Sequence, residues 1–474
     1  MTVVRVMLIS VGLGTRLAFA QVPDTSPQSA PKAAALKPSP RARPNILYIN
    51  THDTGRYIQP YGYPVPTPNL QRLAEEGVLF RQAFCSSPSC SPARAALLTG
   101  QINHNNGMFG LSHVAPDLID IGGWRLREPK HHLLFTLRDA GYLTALAGVE
   151  HIVDLSEQSE STIGHDIHLG NHDAAEVAAA KFLDGHPREP FFLTVGFHET
   201  HRLFPELGPG ERPDYTMPPA PLPDTPVTRA DFAGFKASAR IVDTKMGVVF
   251  EALRRNGYYE NTLIIATTDH GIPFPRMKGN LTDGGTGVFL ILRGPGGFSG
   301  GRALDALVHQ LDIFPTVCNL AGMATPDWVQ GKSLMPLVRG EVAEVHNCIF
   351  TELTYHRAYE PSRAVRTKRY KYIRRFDLGN RGDCNADPNS PSTFFWRDLG
   401  WNDEVPEAER LYDLAFDPQE MRNLVGQPRY RAIHEELRVR LQKWMEETND
   451  PLLSGPIPGP DGTFQHDRDK KTKP

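Results

Sequence analysis

The chain has 474 residues, 22% of them charged and 40% hydrophobic, with a formal net charge of -3 and five cysteines. This length and mix suit a soluble globular protein with two domains and a large core. The near balance of charge offers no broad basic field, so no nucleic-acid partner is expected and an anionic substrate has to be drawn by a local basic site.

Residues 1–20 read as a secretory signal. Arg5 lies near the start, Val6 to Leu13 is apolar, and Ala18-Phe19-Ala20 ends in small residues suited to cleavage. The apolar run is too short to span a bilayer, so the expectation is an exported protein, periplasmic or secreted, with no integral span once the signal is removed. Residues 21–43, rich in Pro, Ala and Ser, read as a flexible linker, and folding is expected to begin at Pro44. The cysteines are odd in number and widely spaced, so no disulfide pairing follows, and Cys318 inside a helical pattern reads as a buried thiol.

From Asn45 to Asn50 an unbroken apolar run predicts a buried parallel strand that delivers Thr51-His52-Asp53 at its carboxyl end. Open α/β sheets hold their ligands at that edge. Thr67 to Gly77 predicts a capped helix with its stop, Val78 to Ala83 a short strand, and Cys90 to Gly100 (CSPARAALLTG) a loop entering a helix. Ser91 reads as the N-cap and Pro92 as a first-turn residue, which places Cys90 at the positive end of the helix dipole. A thiol there, beside Arg94, is either a low-pKa nucleophile or a buried structural cysteine, and the planar fork of Arg94 suits an oxyanion.

His131 to Ala140 predicts a helix, and Tyr142 to Val149 a strand that delivers Glu150-His151. His165, His168 and His172 read as ordinary loop residues. Phe191 to Phe197 predicts a strand followed by His198, His201 and Arg202; Asp231 to Asn256 predicts a long amphipathic helix, and Asn261 to Thr268 a strand delivering Asp269-His270-Gly271. Four strand ends thus each carry ionisable residues, more than a structural sheet needs. A Pro-rich loop then brings Arg276 and Lys278, followed by a strand from Gly287 to Leu292 and a helix from His309 to Gly322.

Near residue 345 the pattern turns antiparallel, with Cys348–Leu353, Ala364–Arg366 and Tyr370–Arg374 as strands of a smaller α+β domain. Its last helix carries Tyr430, Ile433, Leu437, Leu441 and Trp444 at spacings of three and four, a core stripe. The expected organisation is a catalytic domain over 44–345, a C-terminal α+β subdomain over 346–453 and a frayed tail over 454–474.

Cys90, Pro92, Arg94, Thr99 and Gly100 together resemble the type I sulfatase signature, CxPxR followed after four residues by TG. The runs GMFGL, FHETHR, GIPFP and LYDLAFDPQEMRNL extend the similarity from Pro44 to about Leu453, toward the N-sulfoglucosamine sulfohydrolase branch of that family. The resemblance implies an α/β, alkaline-phosphatase-like fold, a mostly parallel sheet sandwiched by helices, with a C-terminal four-stranded antiparallel sheet and helix. It implies that a maturation enzyme oxidises Cys90 to formylglycine, and that His52, Asp53, Asp269, His270 and the Cys90 position hold a divalent metal. Calcium is expected first, with Mn2+ or Zn2+ as alternatives, because His52 and His270 stand where the family usually has Asp and Asn. Val149 stands where a lysine is usual.

The implied roles follow the matching positions. Arg94 and Lys278 stabilise charge on the sulfuryl oxygens, His201 gives a proton to the leaving atom and His151 takes one from the hydrate. Arg202 and Arg276 contact substrate. The expected substrate is a sulfated carbohydrate, N-sulfated glucosamine leading. The alternatives are a phosphonate monoester or phosphodiester hydrolase on the same fold, and a silent anion-binding relative.

Overall fold

Every residue of Asn45–Thr51 (β1) is buried, as its apolar run requires of a strand with both faces covered. The computed structural model describes residues 43–112, 123–153, 164–170, 172–380, 385, 387 and 389–462. The expected signal and residues 21–42 of the expected linker, together with Cys384, lie outside the described residues.

Around β1 stand Val78–Phe84 (β2), Leu143–Gly148 (β3), Ile167–His168 (β4), Phe191–Gly196 (β5), Thr262–Thr268 (β6), Gly287–Val288 (β7), Leu290–Arg293 (β8) and Arg302–His309 (β9). They form a nine-stranded sheet in the order β4-β3-β5-β1-β6-β8-β2-β7, with β9 paired to β2. β3, β5, β1 and β6 run parallel to one another, and β8 is antiparallel to β6 and to β2.

Side chains that alternate along β1 go to opposite faces. Ile46 and Tyr48 join the core under Cys90–Thr99 (α2), Leu133–Asp139 (α3) and Ile313–Leu320 (α6), with Leu97, Leu98, Leu134 and Phe314. Leu47 and Ile49 join the opposite core under Pro68–Glu76 (α1), Ala175–Asp184 (α4) and Pro226–Arg255 (α5), with Leu70, Leu183, Met246 and Phe250. None of the described helices is long and apolar enough to cross a membrane.

A second sheet begins at Ile349: Ile349–Tyr355 (β10), Tyr359–Arg366 (β11), Tyr370–Arg375 (β12) and Glu409–Asp413 (β13), each antiparallel to the next. Pro391–Asp398 (α7) and Arg431–Glu447 (α8) follow the sheet's third and fourth strands. Leu437, Leu441 and Trp444 of α8 pack on Val365, Tyr372 and Leu411, so the predicted stripe is core.

Several elements differ from expectation for local reasons. The α2 N-cap is Ser89, not Ser91, and Cys90 is therefore the first helical residue. α5 starts five residues before Asp231, because Thr225 and Thr228 form a capping box and Pro226 occupies the first turn. His309 is not helical; its ring accepts the Leu311 N–H as a cap. The tail is ordered at Ile457, which is buried and whose carbonyl accepts the Tyr355 hydroxyl at 2.9 Å. Cys85, Cys90, Cys318 and Cys348 are free thiols.

A buried ionic network ties the second sheet to His104, in the short helix Asn103–Asn106 that follows α2. Arg363 of β11 gives Nε to Asp450 at 2.5 Å and Nη2 at 3.1 Å, and lies 3.4 Å from Glu352 Oε2, which faces His104 Nδ1 at 3.0 Å. Removing the one guanidinium strands two buried carboxylates, whereas an exposed pair would matter little. Arg363→Met is expected to lower unfolding free energy by about 3 kcal/mol, read as a lower urea midpoint with an unchanged m-value.

Candidate active site

Strand register brings the ionisable residues to one edge. Asn50 lies opposite Gly196, Thr51 opposite Thr268, and Gly148 opposite Gly196, so β1, β3, β5 and β6 end level. The next residues of those strands are His52-Asp53, Glu150-His151, His198 to Arg202, and Asp269-His270. Gly196 is required here, since a Cβ would stand 1.7 Å from the Val149 carbonyl oxygen. Asp53 and His151 take φ of 58° and 64°, left-handed values unusual for residues with a Cβ, at two of the turns that aim side chains into the site.

One ligand atom each from His52, Asp53, Cys90, Asp269 and His270 lies within 4.8 Å of all the others, and all five residues are buried. His52 Nδ1 is 3.0 Å from Asp53 Oδ1 and 3.2 Å from Asp269 Oδ2. His270 Nε2 is 3.2 Å from Asp53 Oδ1 and 3.3 Å from Cys90 Sγ. Two cations flank the carboxylates: Arg94 gives Nε and Nη2 to Asp269 Oδ2 at 3.2 and 3.1 Å, and Lys278 gives Nζ to Asp53 Oδ2 at 2.6 Å.

These charges set the protonation states. Burial alone would push the Asp53 carboxyl up, but Lys278 and the surrounding imidazoles hold it well below the usual carboxylate range. Asp269 is likewise held low against burial by His270, His52 and Arg94. Burial pushes His52 down to about 3, which leaves its ring neutral and able to ligate. Burial also acts against the Lys278 ammonium, yet Asp53 beside it holds it above the ordinary lysine value.

At Cys90 the two readings of the thiol separate. Burial pushes its thiol up, and neither Lys278 nor Arg94 offsets that, so the α2 dipole does not make a low-pKa thiolate here. The side chain is 2% exposed and turned into the cluster, a placement suited to presenting a carbonyl carbon to a bound anion. The donor chemistry fits the groups the family resemblance implies: five ligand atoms for one divalent cation, with the Cys90 side chain among them.

Around this centre lie three more imidazoles. The rings of His201, His151 and His198 are centred 4.7, 5.4 and 5.9 Å from that of His52. His201 Nδ1 faces the Arg202 carbonyl at 2.6 Å, which leaves Nε2 for proton exchange, and burial lowers the pKa of this ring. His198, named from the sequence but given no role, belongs to the same group. His356, in the turn after β10, accepts or donates through Nδ1 to Ser89 Oγ at 3.0 Å at the entrance of α2. No local pattern announces it, because β10 lies more than 250 residues from Cys90 in the chain.

Two predicted substrate contacts are engaged elsewhere. Arg202 makes a two-pronged pair with Asp231 at 2.6 and 2.9 Å, donates Nε to the Pro273 carbonyl and stacks over Phe204. Asp231 in turn accepts the hydroxyls of Ser390 and Ser392. Arg276 donates Nη2 to the Glu420 carbonyl at 2.8 Å and lines a cavity of about 340 Å³ with Arg56, Asp283 and Glu420.

Behind Arg94, Glu150 is 2% exposed, with His132 Nε2 3.5 Å and His165 Nε2 3.8 Å from Oε1. His165 lies in a loop, as expected, but is buried, whereas His168, also expected in a loop, belongs to β4. Burial pushes the Glu150 carboxyl up to about 8, with Arg94 opposing. The native state then keeps a proton that the unfolded chain releases near 4.5, so stability falls as pH rises from about 4.5 to about 8. Glu150→Gln removes that dependence. Its stability is expected to gain on the parent by up to a few kcal/mol across the window, seen as diverging urea midpoints; parallel profiles would contradict the assignment.

A mostly parallel sheet with its chemistry at the carboxyl edge and a small antiparallel sheet after it defines a hydrolase of the alkaline-phosphatase-like fold. Within that class the chain belongs to the sulfatase family and is a sulfuric ester hydrolase. The sulfatase family model matches residues 44–323, and the model described as N-sulphoglucosamine sulphohydrolase, C-terminal, matches 278–395. The chain is 30% identical to human N-sulphoglucosamine sulphohydrolase, over 88% of this chain and 93% of the relative. Among solved structures it resembles a protein in complex with its substrate D-glucosamine-2-N,6-O-disulfate, with TM-score 0.63, 19% identity, and coverage of 86% of this chain and 98% of the other. It also resembles the phosphonate monoester hydrolase of Agrobacterium radiobacter, with TM-score 0.65, 20% identity, and coverage of 89% and 99%. At those identities the two structures speak to the fold.

Proposed function

We propose that the protein hydrolyses a sulfate ester or sulfamate on a sulfated sugar, with N-sulfated glucosamine as the leading substrate, through a formylglycine made from Cys90 and a divalent metal. The observation that carries this is the side chain of Cys90 inside a five-residue ligand cluster flanked by Arg94 and Lys278. The likeness to N-sulphoglucosamine sulphohydrolase supports the substrate.

Formylglycine at position 90 supplies an aldehyde hydrate whose oxygen is the nucleophile toward sulfur, and the metal, when bound, supplies Lewis acidity toward a nonbridging oxygen. His52, Asp53, Asp269 and His270 would hold that metal; the family resemblance puts calcium there. Arg94 and Lys278 offset charge on the sulfuryl oxygens. Val149 supplies only its backbone carbonyl, 3.4 Å from Arg94 Nη1, so no third cation comes from that position. His201, with Nδ1–H tied to the Arg202 carbonyl, first takes a proton on Nε2 and as the imidazolium gives that proton to the leaving oxygen or nitrogen. His151 takes a proton from the remaining hydroxyl at position 90, which permits sulfate release. Residues 1–20 support export to the periplasm or outside the cell.

Relative turnover tests the reading. Matured enzyme is expected to act on N-sulfated glucosamine or an aryl sulfate ester well ahead of an aryl phosphonate ester. Phosphonate first would favour the rival that Asp269-His270 suggests, and turnover of none of them the silent relative.

A further inference from the structure

Coordination capacity at the cluster bears on which cation it takes. This rests on the proposal above that these residues hold a divalent metal. A carboxylate offers about four lone-pair sites. Asp269 already shares its own with four donors: Oδ1 accepts the backbone N–H of Asp53 at 2.8 Å and of His270 at 2.9 Å, and Oδ2 accepts Nε and Nη2 of Arg94 at 3.2 and 3.1 Å. Asp53 Oδ2 is engaged by Lys278 at 2.6 Å. Oxygen is therefore scarce, with Asp53 Oδ1 the carboxylate atom least committed to N–H donors from backbone, lysine or arginine.

Nitrogen is not scarce. His270 faces the Gly271 carbonyl with Nδ1 at 3.0 Å, so in the neutral ring the proton sits there and the Nε2 lone pair points at Asp53 Oδ1, 3.2 Å away, and at Cys90 Sγ, 3.3 Å away. His52 Nδ1 stands between Asp53 Oδ1 and Asp269 Oδ2 at 3.0 and 3.2 Å. The His270 Nε2 lone pair facing the Asp53 carboxylate, acceptor against acceptor in a buried site, is the arrangement a cation resolves. Calcium takes six to eight oxygens in its shell, more than this cluster can free. Imidazole nitrogen with one or two carboxylates suits first-row dications from manganese to zinc.

We infer that this chain's metal is a first-row transition dication bound through His52 and His270, and not the calcium that the family resemblance suggests. Two imidazoles in the ligand set replace oxygen ligands and make the site selective against calcium.

The test is metal content. Full-length protein is stripped with a chelator, dialysed against calcium in large excess over manganese and zinc, and assayed by mass spectrometry of bound metal. About one equivalent of transition metal is expected, and in the paired variant His52→Asp/His270→Asn the preference is expected to reverse toward calcium. Cobalt(II) loading gives a second readout: visible bands from nitrogen ligation are expected in the parent and lost in the variant. Calcium bound at one equivalent by the parent, or cobalt bands that persist in the variant, would overturn the inference. Turnover of a sulfate ester by the same preparations keeps the two proposals apart. An active calcium form defeats only the metal assignment, and a transition-metal form inactive on every sulfated substrate defeats only the reaction.

Discussion

Cys90→Ala is expected to lower sulfate-ester turnover by a factor of about 10⁴ or more while the protein stays folded. No other described side chain can take over, because the reacting carbon has to sit where α2 starts, with Arg94 one turn along and the carboxylates of Asp53 and Asp269 in front. The structural cost is small. Cys90 is the first residue of a helix in which alanine is the best former, and the thiol leaves a cavity of one atom, worth about 1 kcal/mol. Near-parental thermal unfolding with no turnover is the expected pair of results; retained turnover would mean that the nucleophile lies elsewhere.

Asp269→Asn is expected to cost both activity and stability. The carboxylate accepts from Arg94 twice and from two backbone N–H groups, and an amide of the same shape has to turn an NH2 toward one of those donor pairs. Arg94 is 2% exposed and would be left without its counter-charge. Stranding a buried cation costs about 3–5 kcal/mol, against less than about 1 kcal/mol for a surface pair. Catalysis is expected to fall by about 10³, because the anion-stabilising fork and the metal cluster are lost together. Steady-state kinetics and urea unfolding on one preparation check both. A variant as stable as the parent would show that the Arg94–Asp269 pair is not the electrostatic keystone of the edge.

Much of this edge was legible in the sequence, because parallel strands advertise themselves as continuous apolar runs and their next residues must then share one edge. His52-Asp53, His151, His201 and Asp269-His270 follow from that rule, and Cys90 with Arg94 from a motif whose spacing matches a helix start. What escaped was long-range or masked by composition. β9 carries only half-buried and exposed residues over Arg302 to Asp305 before it turns fully buried, so that stretch resembles a loop. β13 is five residues long and starts on charged Glu409-Arg410. The start of α5 was encoded in Thr225-Pro226 and Thr228, a capping signal that the apolar period further along outweighed. His356 reaches Ser89 through the second sheet, a contact no local pattern contains. Glu150 reads as an ionisable residue at a strand end, and the packing of His132 and His165 around it shows that it is buried.

Roles assigned from a motif also need the third dimension. Arg202 and Arg276 carry the right charge at plausible positions, yet Asp231 and the Glu420 carbonyl already engage them, which leaves Arg94 and Lys278 as the cations in contact with the cluster.

The most direct test is the mass of the tryptic peptide spanning residues 82–94 from an enzyme preparation shown to hydrolyse a sulfate ester. Oxidation of the Cys90 side chain from CH2SH to CHO is expected to make that peptide lighter by about 18 Da and reactive toward a hydrazide. An active preparation in which Cys90 remains entirely a thiol would contradict the formylglycine mechanism.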